Sequence, residues 1–336
     1  KRCGPLPFPS LKPYREHAPV GFSLLFFLLG IGNAVWPHSS FEIPLVESTG
    51  GAGFPFSNPT VLSIVKIDNP NDALPVDEFL ELVLRISELR HPNIVELVGY
   101  CAEYGQRLLV YSYLSKRTLH DVLHNRDDAK GKLSWNARIQ VALGAAQALE
   151  YLHESCQPPV VHQNFESSNI LLDDELAVRV CDCGLAPLLS SNSVTQLSGR
   201  IRSFSYEAPE VSDSGLYTEH SDVYSFGVVM LELLTGRKPY DSSRSRAEQY
   251  LVRWASSQFY DINMLSKMVD PSINGKYPVK SLSRFADIIS CCIQVHFHFP
   301  HMESFCVILH LLFGFIISYM DERWFSIISH ESGLSM

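Results

Sequence analysis

Ser221-Asp222-Val223-Tyr224-Ser225-Phe226-Gly227-Val228-Val229-Met230-Leu231-Glu232-Leu233-Leu234-Thr235-Gly236-Arg237-Lys238-Pro239 is the stretch on which the fold turns. Its apolar residues run all round the helical wheel instead of along one stripe, as a helix buried inside a large body requires. Working outward, Trp135 to His153 carries Ile139, Leu143, Ala146, Leu149 and Leu152 at helical spacing, which predicts an amphipathic helix packed on the same core. Earlier in the chain, the segment from about Asp77 to Glu88 sets Phe79, Val83 and Ile86 on one helical face. Val61-Leu62-Ser63-Ile64-Val65-Lys66-Ile67-Asp68 reads as a strand, and Leu108-Leu109-Val110-Tyr111-Ser112-Tyr113-Leu114 as a strand running into an extended linker. A chain of 336 residues allows one large body of two lobes, and a 46% hydrophobic composition can fill its core. The net charge of −9 argues against a nucleic-acid partner. The eight cysteines lie scattered, with Cys181 and Cys183 too close and too poorly partnered for a zinc site or a disulfide framework, so reduced thiols are expected. Neither an internal repeat nor a low-complexity tract is present.

Four further stretches carry chemistry. They are His91-Pro92-Asn93-Ile94-Val95-Glu96-Leu97-Val98-Gly99-Tyr100-Cys101, then His162-Gln163-Asn164-Phe165-Glu166-Ser167-Ser168-Asn169, then Asp182-Cys183-Gly184, then Ala208-Pro209-Glu210. In this order, and with the buried helix after them, they resemble the small-lobe turn, catalytic loop, magnesium turn and activation-segment end of a protein kinase. Leu149-Glu150-Tyr151-Leu152-His153-Glu154, Leu234-Thr235-Gly236-Arg237-Lys238-Pro239 and Tyr277-Pro278-Val279-Lys280-Ser281-Leu282-Ser283-Arg284-Phe285-Ala286-Asp287 narrow the resemblance to plant receptor-like kinases. Within these they resemble the STRUBBELIG-receptor family of leucine-rich-repeat receptor kinases, known for atypical kinase domains. The likeness covers roughly Thr60 to Gln294 and is specific through its motifs taken together.

The resemblance implies an α+β, bilobal protein-kinase-like fold with an incomplete small β lobe and a mainly helical large lobe. It places a divergent segment at 1–56, a kinase-like domain at 57–294 (small lobe 57–113, large lobe 114–294) and a divergent hydrophobic tail at 295–336.

It also assigns roles, and several are held by the wrong residue. The family loop reads His-Arg-Asp-x-Lys-x-x-Asn, in which the Asp takes the substrate hydroxyl proton. Asn164 stands at that position, and an amide has no basic lone pair at neutral pH; loss of a positioned base costs about 10²–10⁴ in rate. Glu166 replaces the Lys and puts an anion where negative charge accumulates. Gln163 replaces the Arg that pairs with a phosphorylated activation loop. Asn169 and Asp182 remain at the two magnesium positions, so binding of ATP and Mg²⁺ could outlast catalysis. Cys183, in place of Phe, weakens the packing of that turn. His162 matches a scaffold histidine that hydrogen-bonds backbone near the magnesium turn.

For nucleotide, the resemblance points to Lys66 on the strand, Tyr111 at the back of the adenine pocket, Ser112 and Tyr113 in the linker and Leu171 on the floor. The strand has two registers, because the family wants a small residue two before its Lys on the nucleotide face. One presents Ile64 and Lys66; the other presents Ser63 and Val65 and loses the Lys. Gly50-Gly51-Ala52-Gly53 lacks the G-x-G-x-x-G spacing. Leu82 falls at the position of the pairing Glu, and Glu81, about 100° round the helix, faces solvent. Ser190, Ser191, Ser193, Thr195, Ser198, Ser203 and Ser205 could accept phosphate, or simply solvate a loop.

Val20 to Trp36 is apolar, with Lys1, Arg2, Lys12 and Arg15 before it, and Phe305 to Met320 is apolar but short for a span. Membrane association through these ends, with a cytoplasmic kinase-like domain, is one reading, and a cytoplasmic protein the other. His296, His298 and His301 could in principle bind a metal, but no such site is expected of them. Past Gln294 no Arg occurs until Arg323, so Glu210 is expected to lack the Arg that pairs with it in relatives. The functional expectation is a catalytically impaired kinase domain that signals by binding other signalling proteins or receptor kinases. Its alternatives are an active Ser/Thr kinase, with Glu166 or Asp182 as base, and a truncated product that does not fold.

Overall fold

The computed structural model of the chain describes residues 3–5, 62–67, 75–102, 107–112, 117–125, 133–185, 205–259 and 261–293. Four antiparallel strands form a sheet in the order β1 (Cys3–Pro5), β3 (Leu97–Cys101), β4 (Leu108–Ser112), β2 (Leu62–Lys66). β1 comes from the segment that the sequence sets apart and pairs along β3. Helix α1 (Val76–Ser87) lies against β3 and buries Phe79, Leu82, Val83 and Ile86, while Glu81 is exposed. The expected inner face is thus the observed one, and Leu82, not a Glu, points into the core.

The register of β2 follows from what each face can bury. Ser63 pairs with Tyr111 and Val65 with Leu109, whereas Ile64 pairs with Val110 and Lys66 with Leu108. Leu109 and Tyr111 belong to the main core, with Val65 packed against it. Ile64, Leu108 and Val110 form a separate cluster with Cys101 on the opposite face. Facing pairs in an antiparallel ladder share a face, so the row beside Tyr111 is Ser63 and Val65.

The second lobe is built round α5 (Glu219–Thr235), the helix quoted at the outset. Its residues are buried almost without interruption from Ser221 to Thr235. Thr218 and Ser221 close its N-terminus in a capping box, and Gly236, at φ 64°, turns the chain away in the left-handed conformation. Around it pack α3 (Trp135–Glu150), α6 (Leu251–Ser256) and α8 (Val279–Ile293), with α7 (Ile262–Met268) beneath α8. A Cβ on Gly227 would stand 2.7 Å from Cys292 Cβ and Ile293 Cγ2, which is why glycine sits where α5 meets α8.

α3 departs from its expectation. It ends at Glu150 in a π-helical turn over Tyr151–Ser155, and it is buried on several faces, with Arg138, Val141, Ala142 and Ala145 enclosed and Leu143 only half-buried. The cause is its setting, since it is pressed on one side by α5 and on another by the hairpin β5 (Ile170–Leu172) and β6 (Val178–Val180). Arg138 tolerates enclosure because its donors reach Leu133 O (3.0 Å), Leu233 O (2.6 Å), Asp270 Oδ2 (2.5 Å) and Ser272 Oγ (3.1 Å). The lobes are stitched where Val180 N donates to Asn93 O (2.8 Å), Val95 N to Val180 O (3.0 Å) and Asn93 Nδ2 to Val178 O (2.9 Å).

Cys101 is disulfide-bonded, a departure from the all-reduced expectation, while Cys156, Cys181, Cys183, Cys291 and Cys292 are free. Among the described residues no helix is long and apolar enough to cross a membrane. The apolar stretches 20–36 and 305–320, the glycine-rich 50–53 and the three tail histidines lie outside the described residues.

Candidate functional site

Asp222, 1% exposed on the first turn of α5, organises the loop that follows α3. Its Oδ2 accepts from His162 N (2.7 Å) and His153 Nε2 (2.8 Å), and its Oδ1 from Gln163 N (2.9 Å). These bonds offset the strain of Gln163, a non-glycine residue held at φ 64°. The loop is therefore fixed from below before any ligand is considered.

His162 then carries that order to the next segment. Its Nδ1 accepts from Asn164 N at 3.3 Å, so the ring proton sits on Nε2 and donates to Cys181 O at 3.0 Å. The scaffold role expected of this histidine is the one it plays. Phe165, 1% exposed, packs edge-on against the same ring and contacts Phe226 of α5.

Asn169, 7% exposed, donates from Nδ2 to Asn164 O (2.8 Å), and among the described residues its Oδ1 meets only the weak donor Cys181 Sγ at 3.8 Å. Cys181 N donates to Asn169 O (3.0 Å), which ties the two magnesium-position segments together. Asp182 is buried and held in the left-handed region at φ 61°, with Leu185 N closing the turn onto Asp182 O at 3.2 Å. Cys183 is buried at the edge of the main core, its Sγ directed at Val180 O. Burial, followed by the charge of Asp182, pushes the Cys181 thiol well above its ordinary value and Cys183 up as well. Both remain thiols.

Glu166 accepts a hydrogen bond from Ser168 Oγ. Asn164 is half-buried, and its amide cannot take a proton. Tyr111 is enclosed in the main core, and its hydroxyl has no hydrogen-bond partner among the described residues. Burial first, then the charges of Asp182, Cys183 and Cys181, push its phenol well above the usual value. Ser112 N and Oγ both meet Glu96 O, at 3.0 and 3.4 Å. Leu171 is half-buried on β5, opposite Arg179. Tyr113 and the hydroxyls from Ser190 to Ser203 lie outside the described residues, as does the side chain of Lys66; Ser205 is buried. One carboxylate oxygen of Glu210, on α4 (Pro209–Ser214), is buried with no hydrogen-bond partner among the described residues.

Sequence reasoning missed a second polar centre beside this loop. Glu232, 0% exposed in the last turn of α5, accepts from Tyr206 OH at Oε2 (2.6 Å) and from Ser167 Oγ (3.1 Å) and His124 Nε2 (2.8 Å) at Oε1. It joins α2 (Leu119–His124), the loop and the end of the activation segment to the central helix. The only sequence signal was a lone carboxylate in an otherwise apolar run.

A sequence model of the protein tyrosine and serine/threonine kinase family matches residues 57–262. Protein STRUBBELIG-RECEPTOR FAMILY 3 of Arabidopsis thaliana is 63% identical over 249 residues, covering 74% of this chain and 32% of that protein. Protein STRUBBELIG of the same plant is 53% identical over 235 residues, 70% of this chain and 30% of that protein. The chain thus spans about a third of the length of these relatives. Among solved structures, the pseudokinase domain of BIR2, an immune regulator of the RLK/Pelle family, superposes with a TM-score of 0.62 at 31% identity, covering 78% of this chain and 76% of that one. The kinase domain of maize SIRK1, bound to AMP-PNP, gives 0.62 at 24% identity over 77% and 87% of the two chains and shares the fold. The bilobal frame, the loop hung on Asp222 and these matches together make the chain a member of the protein tyrosine and serine/threonine kinase family, carrying a plant receptor-like kinase domain.

Proposed function

We infer that this domain is a catalytically impaired kinase that signals by presenting its folded surface to other signalling proteins or receptor kinases. The observation that carries the reading is Asn164, an amide held in an ordered loop at the position of the base. Because His162, Asn169 and Asp222 keep that loop in place, the loss is one of chemistry and not of architecture. Glu166 compounds it by adding negative charge beside the site of transfer.

Asn169 and Asp182 fit a magnesium ion, since an amide oxygen that among the described residues meets only a weak thiol donor, and a buried carboxylate, are hard oxygen ligands. With ATP bound, that ion would neutralise phosphate charge. Tyr111 would close the back of the adenine pocket, Leu171 its floor, and Ser112 and Tyr113 would offer backbone to the adenine edge. For Lys66, the register supports Val65 at the cation position instead. The domain is taken to run from 57 to 294. Its receptor-family relatives support a membrane-associated protein, and we place this domain on the cytoplasmic side.

The test is transfer of γ-phosphate from ATP to a generic protein substrate. The chain should show no rate above an Asp182→Asn baseline, and Asn164→Asp together with Glu166→Lys should raise it by about 10²-fold or more. Turnover by the unaltered chain that Asp182→Asn abolishes and Asn164→Asp barely changes would overturn the reading in favour of an active Ser/Thr kinase.

A further inference from the structure

The geometry points to a binding site for a divalent transition cation of the zinc class, formed by His120, His124 and Glu232. The two histidines are four residues apart on α2, so they project from one helical face. One ligand atom from each of the three residues lies within 4.8 Å of the other two. His124 Nε2 is already 2.8 Å from Glu232 Oε1, and the two imidazole centroids are 4.7 Å apart at 62°. Such a cluster needs only small rotamer shifts to converge on a cation at about 2.0–2.2 Å from each ligand.

The donor set favours a borderline cation over magnesium, because two imidazoles and one carboxylate suit zinc, whereas magnesium takes oxygen ligands and keeps its waters. Three protein ligands leave a fourth position for water.

The surroundings are those of an oriented ligand set. Tyr206 OH fixes Glu232 Oε2, so Oε1 is the oxygen turned toward the histidines, and Ser167 Oγ contacts both Oε1 (3.1 Å) and His120 Nδ1 (3.4 Å). Outer partners of this kind hold ligands in position and raise affinity. A bound cation would clip α2 to the central helix beside Ser167, in the loop that carries Asn164. The site is separate from the magnesium pair and stands whether or not nucleotide binds.

Isothermal titration of the full chain with Zn²⁺, and absorption spectra with Co²⁺ as its coloured substitute, test the site. One saturable equivalent is expected, with a nitrogen–oxygen cobalt spectrum free of thiolate charge-transfer bands. His120→Gln, at a half-buried position, should keep a cooperative melt and weaken binding by at least about tenfold, and His124→Gln should do the same. Replacing His296, His298 and His301 by Ala should leave it unchanged. Absence of saturable binding, thiolate bands, or loss of binding in the triple variant while both glutamine variants retain it would each overturn the proposal. Should His120→Gln fail to fold, zinc-dependent stabilisation of the unaltered chain, reversed by a chelator and missing in His124→Gln, decides the matter.

Discussion

Single polar residues inside apolar surroundings set the geometry of the candidate site, and they were the least legible feature of the sequence. Asp222 and Glu232 read as interruptions of a buried helix, because nothing in a one-dimensional pattern says that the His162 and Gln163 amides, or the Tyr206 hydroxyl, will arrive opposite them. The residues of the loop itself were legible, since their roles follow from their own chemistry: an amide at 164 cannot act as a base wherever it is placed. Arg138 and Asp270 show what such a partner is worth. The Arg138 side chain is 2% exposed and that of Asp270 16%. Burial pushes the Asp270 carboxyl up, but the Ser272 amide, the Arg138 charge and the hydrogen bonds from both side chains outweigh it and hold it below the usual carboxylate value. Asp270→Asn should therefore cost about 3 kcal/mol at pH 7, the lower end for a broken buried pair because Asp270 keeps some contact with water. The sign with pH follows, since a carboxyl depressed in the folded state contributes stability above its unfolded value of about 3.9 and loses it as pH falls through the folded value. Denaturant unfolding of both proteins from pH 7 downward should show the full gap at neutral pH and a closing gap below about pH 4. A gap that stays constant into acid would remove the ion pair from the account.

At the scale of elements, periodicity located α1, α5 and the two small-lobe strands, but it could not choose a register for β2, because both of its faces carry apolar residues. Tertiary packing decides. The face beside Tyr111 joins the main core and takes Ser63 and Val65, while Ile64 goes to the small cluster with Leu108 and Val110. The same limit explains α3, whose amphipathic pattern gave one buried face, whereas α5 and the β5–β6 hairpin bury more. The register makes a prediction that sequence alone could not. If the Val65 row faces the nucleotide, Val65→Lys should restore the missing cation and tighten binding of an ATP analogue by about tenfold or more, the worth of a charged hydrogen bond. Lys66→Met should leave binding unchanged. Fluorescent-nucleotide titration with melting curves as a fold check separates the two, and the opposite pattern, loss with Lys66→Met and no gain with Val65→Lys, would assign the nucleotide face to the other register.

For the whole molecule, the question is whether a bilobal body with this loop still responds to ligand as one unit. The stitches between lobes, from Asn93 and Val95 to Val178 and Val180, lead by two residues to Asp182. A ligand held between Asp182, Asn169 and the Tyr111 side of the sheet would thus draw on both lobes and raise the free energy of unfolding of the entire domain. A ligand at a hundred times its dissociation constant adds about 2.7 kcal/mol, which in a domain of this size corresponds to roughly 5–10 °C in Tm. If a valine holds the cation position, with Glu166 close by, saturation should demand millimolar nucleotide, yet the oxygens of Asn169 and Asp182 could still hold an ion. The expected outcome is a Tm that rises with ATP and Mg²⁺ together, does not rise with ATP in the presence of a magnesium chelator, and does not rise in Asp182→Asn. Such a pattern would make the nucleotide a conformational ligand of the domain, whatever its rate of phosphate transfer. A cooperatively melting protein whose Tm ignores both would instead show that the surviving pair is a relic of the fold, and that partners are recognised by a body whose shape no nucleotide controls.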